Sequence, residues 1–272
     1  MTYLKISIAT IALNFALLHN VSAATINSFS DWGITSTGVT TSAAGVYSHT
    51  EDQTGNYLSP GYGGQDYDAE GIYATWDSNY LYVGVMTGRA PTASGWSAGD
   101  IAFDFGSDKS YEYGLITTDH SGSYPAAAGI GSPGELFQVS QWNYGIWDQA
   151  GNHVGYGSSA ADTDHPTSVA AGSAVANAVK NNSFSYQALG SSSQYGAGGQ
   201  SYFISAAIDL NTFGGASFLD DGLSLHWAAT CNNDWIQLDI PAQSVPEPST
   251  LALLSLGLFG IIAARRKTST KV

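Results

Sequence analysis

Asp66, Asp68 and Glu70 stand two residues apart in the stretch GGQDYDAEG. In an extended segment, side chains at i, i+2 and i+4 share one face, so three carboxylates would converge there. A hard cation suits them, because calcium takes six to eight oxygens from carboxylates, carbonyls and amides. Late in the chain the turn Asn232-Asn233-Asp234 offers more oxygen ligands, and Asp234 joins the set if the first and last long strands pair. The competing reading is a solvated acidic edge, ordinary in a chain with 22 Asp and Glu. No EF-hand loop is present.

The aromatic residues offer a second chemistry. Seven Trp and 16 Tyr are present, and several sit in glycine-rich or polar settings: Tyr62 and Tyr67 beside the acidic cluster, Trp96 in SGWSAG, and Trp142, Tyr144 and Trp147 together. Exposed rings flanked by Asp, Asn and Gln match a sugar, which has an apolar C–H face and a rim of hydroxyls. Against this, Trp and Tyr favour strands for packing alone. Trp76 and Trp227, flanked by alternating apolar residues, read as core; Trp96, Trp142 and Trp147 are the candidate glycan contacts.

Signatures of catalysis are missing. There is no G-x-S-x-G. His49, His120, His153, His165 and His226 are scattered, with no H-E-x-x-H and no Cys-His ligand set. His165 reads as part of a turn and His226 as a packed strand histidine. Gly129 to Gly134 spells G-x-G-x-x-G, but a dinucleotide fingerprint must open a helix, and this one contains Pro133 and runs into the strand-like ELFQVSQW. Cys231 is the single cysteine, so no intrachain disulfide can form, and a buried inert thiol is expected. Glycoside hydrolysis asks only for two suitably spaced carboxylates, which leaves a secreted hydrolase as the weakest of the readings. The expectation is a protein without enzymatic activity and with no cofactor other than calcium.

Short alternating runs between turn signals carry these residues, which argues for an all-β domain. In GIYATWDSNYLYVGVMTG, Ile72, Ala74 and Trp76 share one face, Asp77-Ser78-Asn79 turns, and Leu81, Val83 and Val85 return on the core side. GDIAFDFG places Ile101, Phe103 and Phe105 inward and Asp100, Ala102 and Asp104 outward. YEYGLITT, ELFQVSQW, SYFISAAIDL and GLSLHWAATCNNDWIQLDI supply further strands, and YGIWDQAGNHVGYG reads as another hairpin with its loop at 148–152. Residues 168–181, SVAAGSAVANAVKN, could form a short helix. Nine to eleven strands suit a two-sheet antiparallel β-sandwich of jelly-roll or carbohydrate-binding-module type.

The flanks concern transport. Residues 1–24 combine Lys5, an apolar run from Ile6 to Leu18 and small residues at Ser22, Ala23 and Ala24, the pattern of a secretory signal peptide. Residues 245–267 hold Val245, Pro246, Glu247 and Pro248, then an apolar run, then Arg265, Arg266 and Lys267, followed by a polar tail at 268–272. From Pro248 to Ala264 is a minimal membrane span, and the basic cluster would stay in the cytoplasm. Between the flanks, residues 25–244 carry three basic against 21 acidic residues, a net charge of −18. Such a field repels phosphate backbones and excludes nucleic acid as a partner.

The tail closely resembles the PEP-CTERM sorting signal of Gram-negative bacteria that make exopolysaccharide. That resemblance implies processing by exosortase near the Pro-Glu-Pro, transient anchoring of the C-terminal helix in the inner membrane, and delivery to the cell surface or outside the cell. In layout, residues 60–240 also resemble carbohydrate-binding-module-9-like and DOMON-type sandwiches. Taken together, the expected role is a non-catalytic protein of an exopolysaccharide matrix or biofilm, with extracellular polysaccharide or matrix proteins as partners. The alternative is a specific carbohydrate-binding module.

Overall fold

The computed structural model describes residues 26, 28–35, 38–39, 43–51, 64–120, 129–191 and 200–242. The expected signal peptide (1–24), Tyr62, the expected sorting segment (245–267) with its expected membrane helix, and the tail (268–272) lie outside them.

Two antiparallel sheets make a sandwich, as expected. One has five strands in the order β10-β11-β5-β4-β3 and the other six in the order β13-β12-β6-β7-β8-β9. In the first sheet, β3 is Tyr47–Thr50, β4 Ala69–Trp76, β5 Tyr80–Thr87, β10 Ser185–Ser191 and β11 Gln200–Asp209. In the second, β6 is Ile101–Phe105, β7 Tyr113–Leu115, β8 Leu136–Tyr144, β9 Pro166–Ala174, β12 Leu223–Ala228 and β13 Trp235–Ile240. A short ribbon of β1 (Ile34–Thr35) and β2 (Gly38–Val39) stands apart.

Period-two patterning builds the central core. Ile72 and Ala74 of β4, Leu81, Val83 and Val85 of β5, and Ile204 of β11 meet Ile101, Phe103, Leu225 and Trp227 from the other sheet, all essentially unexposed. The β4–β5 hairpin closes as its alternation predicts. Asp77 caps it, its carboxylate accepting from Asn79 N at 2.7 Å, Tyr80 N at 2.8 Å and the Tyr82 hydroxyl at 2.8 Å. Replacing Asp77 by Ala leaves three donors to water at a partly exposed turn, and a cost of about 1–2 kcal/mol is expected, read from the urea midpoint; an unchanged midpoint would show that the apolar pairs alone set this hairpin.

Both sheets are covered on their outer faces as well, which alternation does not reveal. Over the five-stranded sheet, Trp32 and Ile34 pack on Tyr73, Tyr82, Met86 and Phe203, with the Trp32 ring 5.7 Å from Phe203 and 6.2 Å from Tyr73 in edge contacts. Over the six-stranded sheet, Tyr111, Ile116, Phe137, Trp142 and Val169 close on Ala102. Asp100 and Asp104, expected outward in solvent, are therefore 0% and 1% exposed.

One local expectation is corrected. Residues 166–174 form strand β9 rather than a helix, pairing with β8 through three register shifts. Ala, Gly and Ser pack closely in a sheet while giving little period of either kind. The expected hairpin in 144–157 closes through the isolated bridge Trp147–His153 and through Val154 N donating to Ile146 O at 2.8 Å and Asp148 N to Asn152 O at 3.0 Å, with Asp148 accepting from Ala150 N and Asn152 N inside the turn.

Candidate functional site

The predicted acidic set divides in the structure. Gly64–Tyr67 is a turn of 3-10 helix rather than strand, so the two-residue spacing no longer aligns the three carboxylates. Asp66 is exposed, while Asp68 and Glu70 are 5% and 0% exposed. Asp234, 1% exposed, does approach: its Oδ2 accepts from Ala69 N at 2.8 Å. Glu70 accepts from Ser201 Oγ at 2.8 Å and from the Gln65 amide. Burial raises the Glu70 carboxyl to about 7, with Asp68 adding to the rise. Burial, then Glu51 and Asp68, raise Asp234 to about 9. Arg89 is close by, yet it donates to the carbonyls of Asp66 and Ser94 at 3.4 and 2.9 Å and lies over the Tyr67 ring at 4.2 Å.

Another carboxylate set, missed in the sequence, converges better. Ligand atoms of Asp104, Asp108 and Glu112 lie within 4.8 Å of one another around the β6–β7 turn. Asp104 accepts from Asp108 N at 3.1 Å and Lys109 N at 2.8 Å, and Glu112 from Phe105 N at 2.9 Å. The spacing D-x-x-x-D-x-x-x-E falls in no single strand or helix here, and the reversal of the chain between β6 and β7 folds the three together.

Of the candidate glycan rings, two turn inward. Trp142 and Trp147 are each 7% exposed, and their indole N–H groups donate to Tyr111 O at 2.9 Å and Asn233 Oδ1 at 2.8 Å. Neither offers a flat face to a sugar. Trp96 is half-buried, 6.0 Å from the Tyr156 ring. Cys231 is fully buried, and burial pushes its thiol up to about 12, as an inert cysteine requires. His226 is fully buried, and burial together with His165 holds it well below its ordinary value, so it is neutral. His165 stacks on Trp235 at 4.0 Å and lies 5.3 Å from His226.

A buried polar arrangement joins residues that stand apart in the sequence. Ser97 Oγ lies 3.0 Å from His120 Nδ1, and His120 Nε2 lies 3.1 Å from Asp100 Oδ1. Residues 97–100 enter β6 clamped on two sides: Thr230 N donates to Ser97 O, Asp100 N donates to Thr167 O, and Trp227 Nε1 donates to Gly99 O, each at 2.9 Å. Gly99 is obligatory, because a Cβ there would lie 1.9 Å from Ala228 O. Asp100 also accepts from Thr117 N at 3.0 Å and Val169 N at 2.9 Å. His120 adopts φ 53°, a left-handed conformation costly for a histidine. Gly129 packs against its ring, where a Cβ would come within 2.6 Å of Cδ2. The rejected glycine motif is thus a loop whose first glycine makes room for an imidazole. Burial pulls the His120 pKa down, but Asp100, by charge and hydrogen bond, and Asp119 outweigh it and leave it raised. Ser97 and His120 line an open cleft of about 400 Å³ together with Pro91, Thr118, Phe184 and Tyr186.

No curated protein and no solved structure matches the chain, and the resemblance to carbohydrate-binding-module-9-like and DOMON-type sandwiches is not confirmed. Residues 244–267 match the family described as the PEP-CTERM protein-sorting motif. That motif implies export, processing by exosortase and direction toward the surface. The chain is thus a β-sandwich whose residues 244–267 match the PEP-CTERM protein-sorting motif, which supports its assignment as a PEP-CTERM protein.

Proposed function

We propose that the sandwich is a structural component of the cell surface or extracellular matrix, associated with exopolysaccharide or matrix proteins and ordered by calcium. This role asks for no chemistry from the chain. The observation that carries it is the inward turn of Trp142 and Trp147: rings that would grip a sugar are spent on the core, while a net charge of −18 between the flanks draws divalent cations. The Asp104, Asp108 and Glu112 turn is the best-formed cation cage among the described residues, ahead of the Asp68, Glu70 and Asp234 corner. One observation favours the alternative of a glycan-binding module: a cleft of about 490 Å³ on the β10–β11–β5 face presents Asn181, Asn182 and Gln187.

The test is fractionation of the producing cells with and without chelator, alongside electrophoresis of the full chain through gels cast with the host polysaccharide. The expected result is a protein that stays with the insoluble matrix, leaves it on chelation, and runs unretarded. Retardation lost in an Asn182→Ala/Gln187→Ala variant would replace the structural reading with the glycan-binding one. Calcium at a hundredfold excess over its dissociation constant adds about 2.7 kcal/mol, roughly 5–10 °C in Tm for a domain of this size. Asp108→Ala/Glu112→Ala should abolish that shift in a thermal melt with calcium against chelator. An undiminished shift in this variant would move the ion elsewhere.

A further inference from the structure

We propose that Ser97 is an acyl-accepting nucleophile, with His120 as its base and Asp100 as the group that orients His120, and that the cleft beside them takes a small neutral carboxylic ester. This activity lies beyond the structural role. It rests first on the tautomer. Asp100 accepts backbone N–H groups at both oxygens, from Thr117 at 3.0 Å and Val169 at 2.9 Å, so it faces His120 as an acceptor. His120 Nε2 must then carry the hydrogen, leaving the Nδ1 lone pair directed at Ser97 Oγ, 3.0 Å away. That is the arrangement a base needs to take a serine proton. It uses the two ring nitrogens in the opposite sense from the familiar protease triads, which the roles permit because the carboxylate and the serine sit on different nitrogens.

Access and strain support the assignment. Both Ser97 and His120 line the cleft, and His120 is held at φ 53° by its surroundings, strain of a kind concentrated at functional sites. Pro91, Pro133 and Phe184 give the cleft an apolar side, and Asp119 in its lining, with the chain's net negative charge, repels anionic substrates. Hence the preference for a neutral ester with a short acyl chain.

The chemistry balances without a cofactor. Ser97 Oγ bonds to the ester carbonyl carbon as its proton passes to His120 Nδ1. The bond to the alcohol oxygen breaks, and that oxygen takes the proton from Nδ1. Water then attacks the acyl-serine by the same path, giving up a proton to Nδ1, and leaves the carboxylic acid and Ser97 restored. Thr118 Oγ1, 3.2 Å from Nδ1, is the competing hydroxyl.

The full chain is treated with a fluorophosphonate probe, which bonds phosphorus to an activated serine oxygen and releases fluoride, and the adduct is mapped by peptide mass. One adduct at Ser97 is expected, absent in Ser97→Ala, retained in Thr118→Val, and formed about a hundredfold more slowly in His120→Gln. Labelling should accelerate as pH rises through the His120 titration, on which Asp100 and Asp119 act. Ser97→Cys guards against a folding artefact: it keeps the contact with Nδ1 and should gain rapid alkylation by iodoacetamide, while the buried Cys231 stays unreactive. No adduct in the native chain, or a Ser97→Cys thiol no faster than free cysteine, would overturn the assignment.

Discussion

Asp100→Ala should be the most destabilising single substitution of a charged residue, losing about 3–5 kcal/mol. One carboxylate ties together three segments distant in sequence: Thr117 N after β7, Val169 N within β9, and the His120 ring. All are buried, so truncation leaves two backbone donors and an imidazole N–H without their acceptor. Asp100→Asn keeps one acceptor oxygen and should lose about half as much. The measurement is urea unfolding of both variants at neutral pH, with the linear slope checked for constancy. Equal stability of Asp100→Ala and the native chain would mean that solvent reaches this cluster and that the second layer over the six-stranded sheet is not closed.

That second layer also marks the limit of what the sequence discloses. The β4–β5 hairpin was legible because Ile72, Ala74, Leu81, Val83 and Val85 alternate cleanly and Asp77 supplies a turn with its own hydrogen-bond logic. Asp100 and Asp104 obeyed the same alternation and pointed away from the central core, but Val169, Trp142 and Tyr111 roof that face, and no local pattern in GDIAFDFG announces a roof. Strand β9 hid for a different reason: it is held by pairing to β8, a long-range choice that SVAAGSA does not encode in its own periodicity. Ser97, Asp100 and His120 were invisible as a group because they come from a strand entry and a left-handed loop residue, with no fixed spacing between them. The acidic triplet failed in the opposite way. Its spacing was suggestive, but the helical turn at Gly64–Tyr67 broke the extended geometry on which it depended.

What that corner retains is a pH dependence running against the usual acid denaturation. Glu70 and Asp234 are raised to about 7 and about 9, from ordinary carboxyl values near 4.5 and 3.8. A raised folded-state pKa means that the native state holds protons the unfolded chain has already released. The stability these groups contribute is complete below pH 4 and is lost as pH climbs, through about 7 for Glu70 and about 9 for Asp234. In chelator, stability should therefore fall by several kcal/mol, of order 1.4 per unit of separation, between pH 5 and 9. Asp234→Asn retains an oxygen for Ala69 N and carries no charge toward Glu51 and Asp68, so it should flatten most of that decline and be more stable than the native chain at pH 8. Urea midpoints of both proteins at half-unit intervals decide the matter. Calcium added at pH 8 then separates two origins of these buried carboxylates: recovery of the native chain to the level of Asp234→Asn identifies the corner as a cation seat in its own right, whereas the same increment in both proteins places the ion at the Asp104, Asp108 and Glu112 turn.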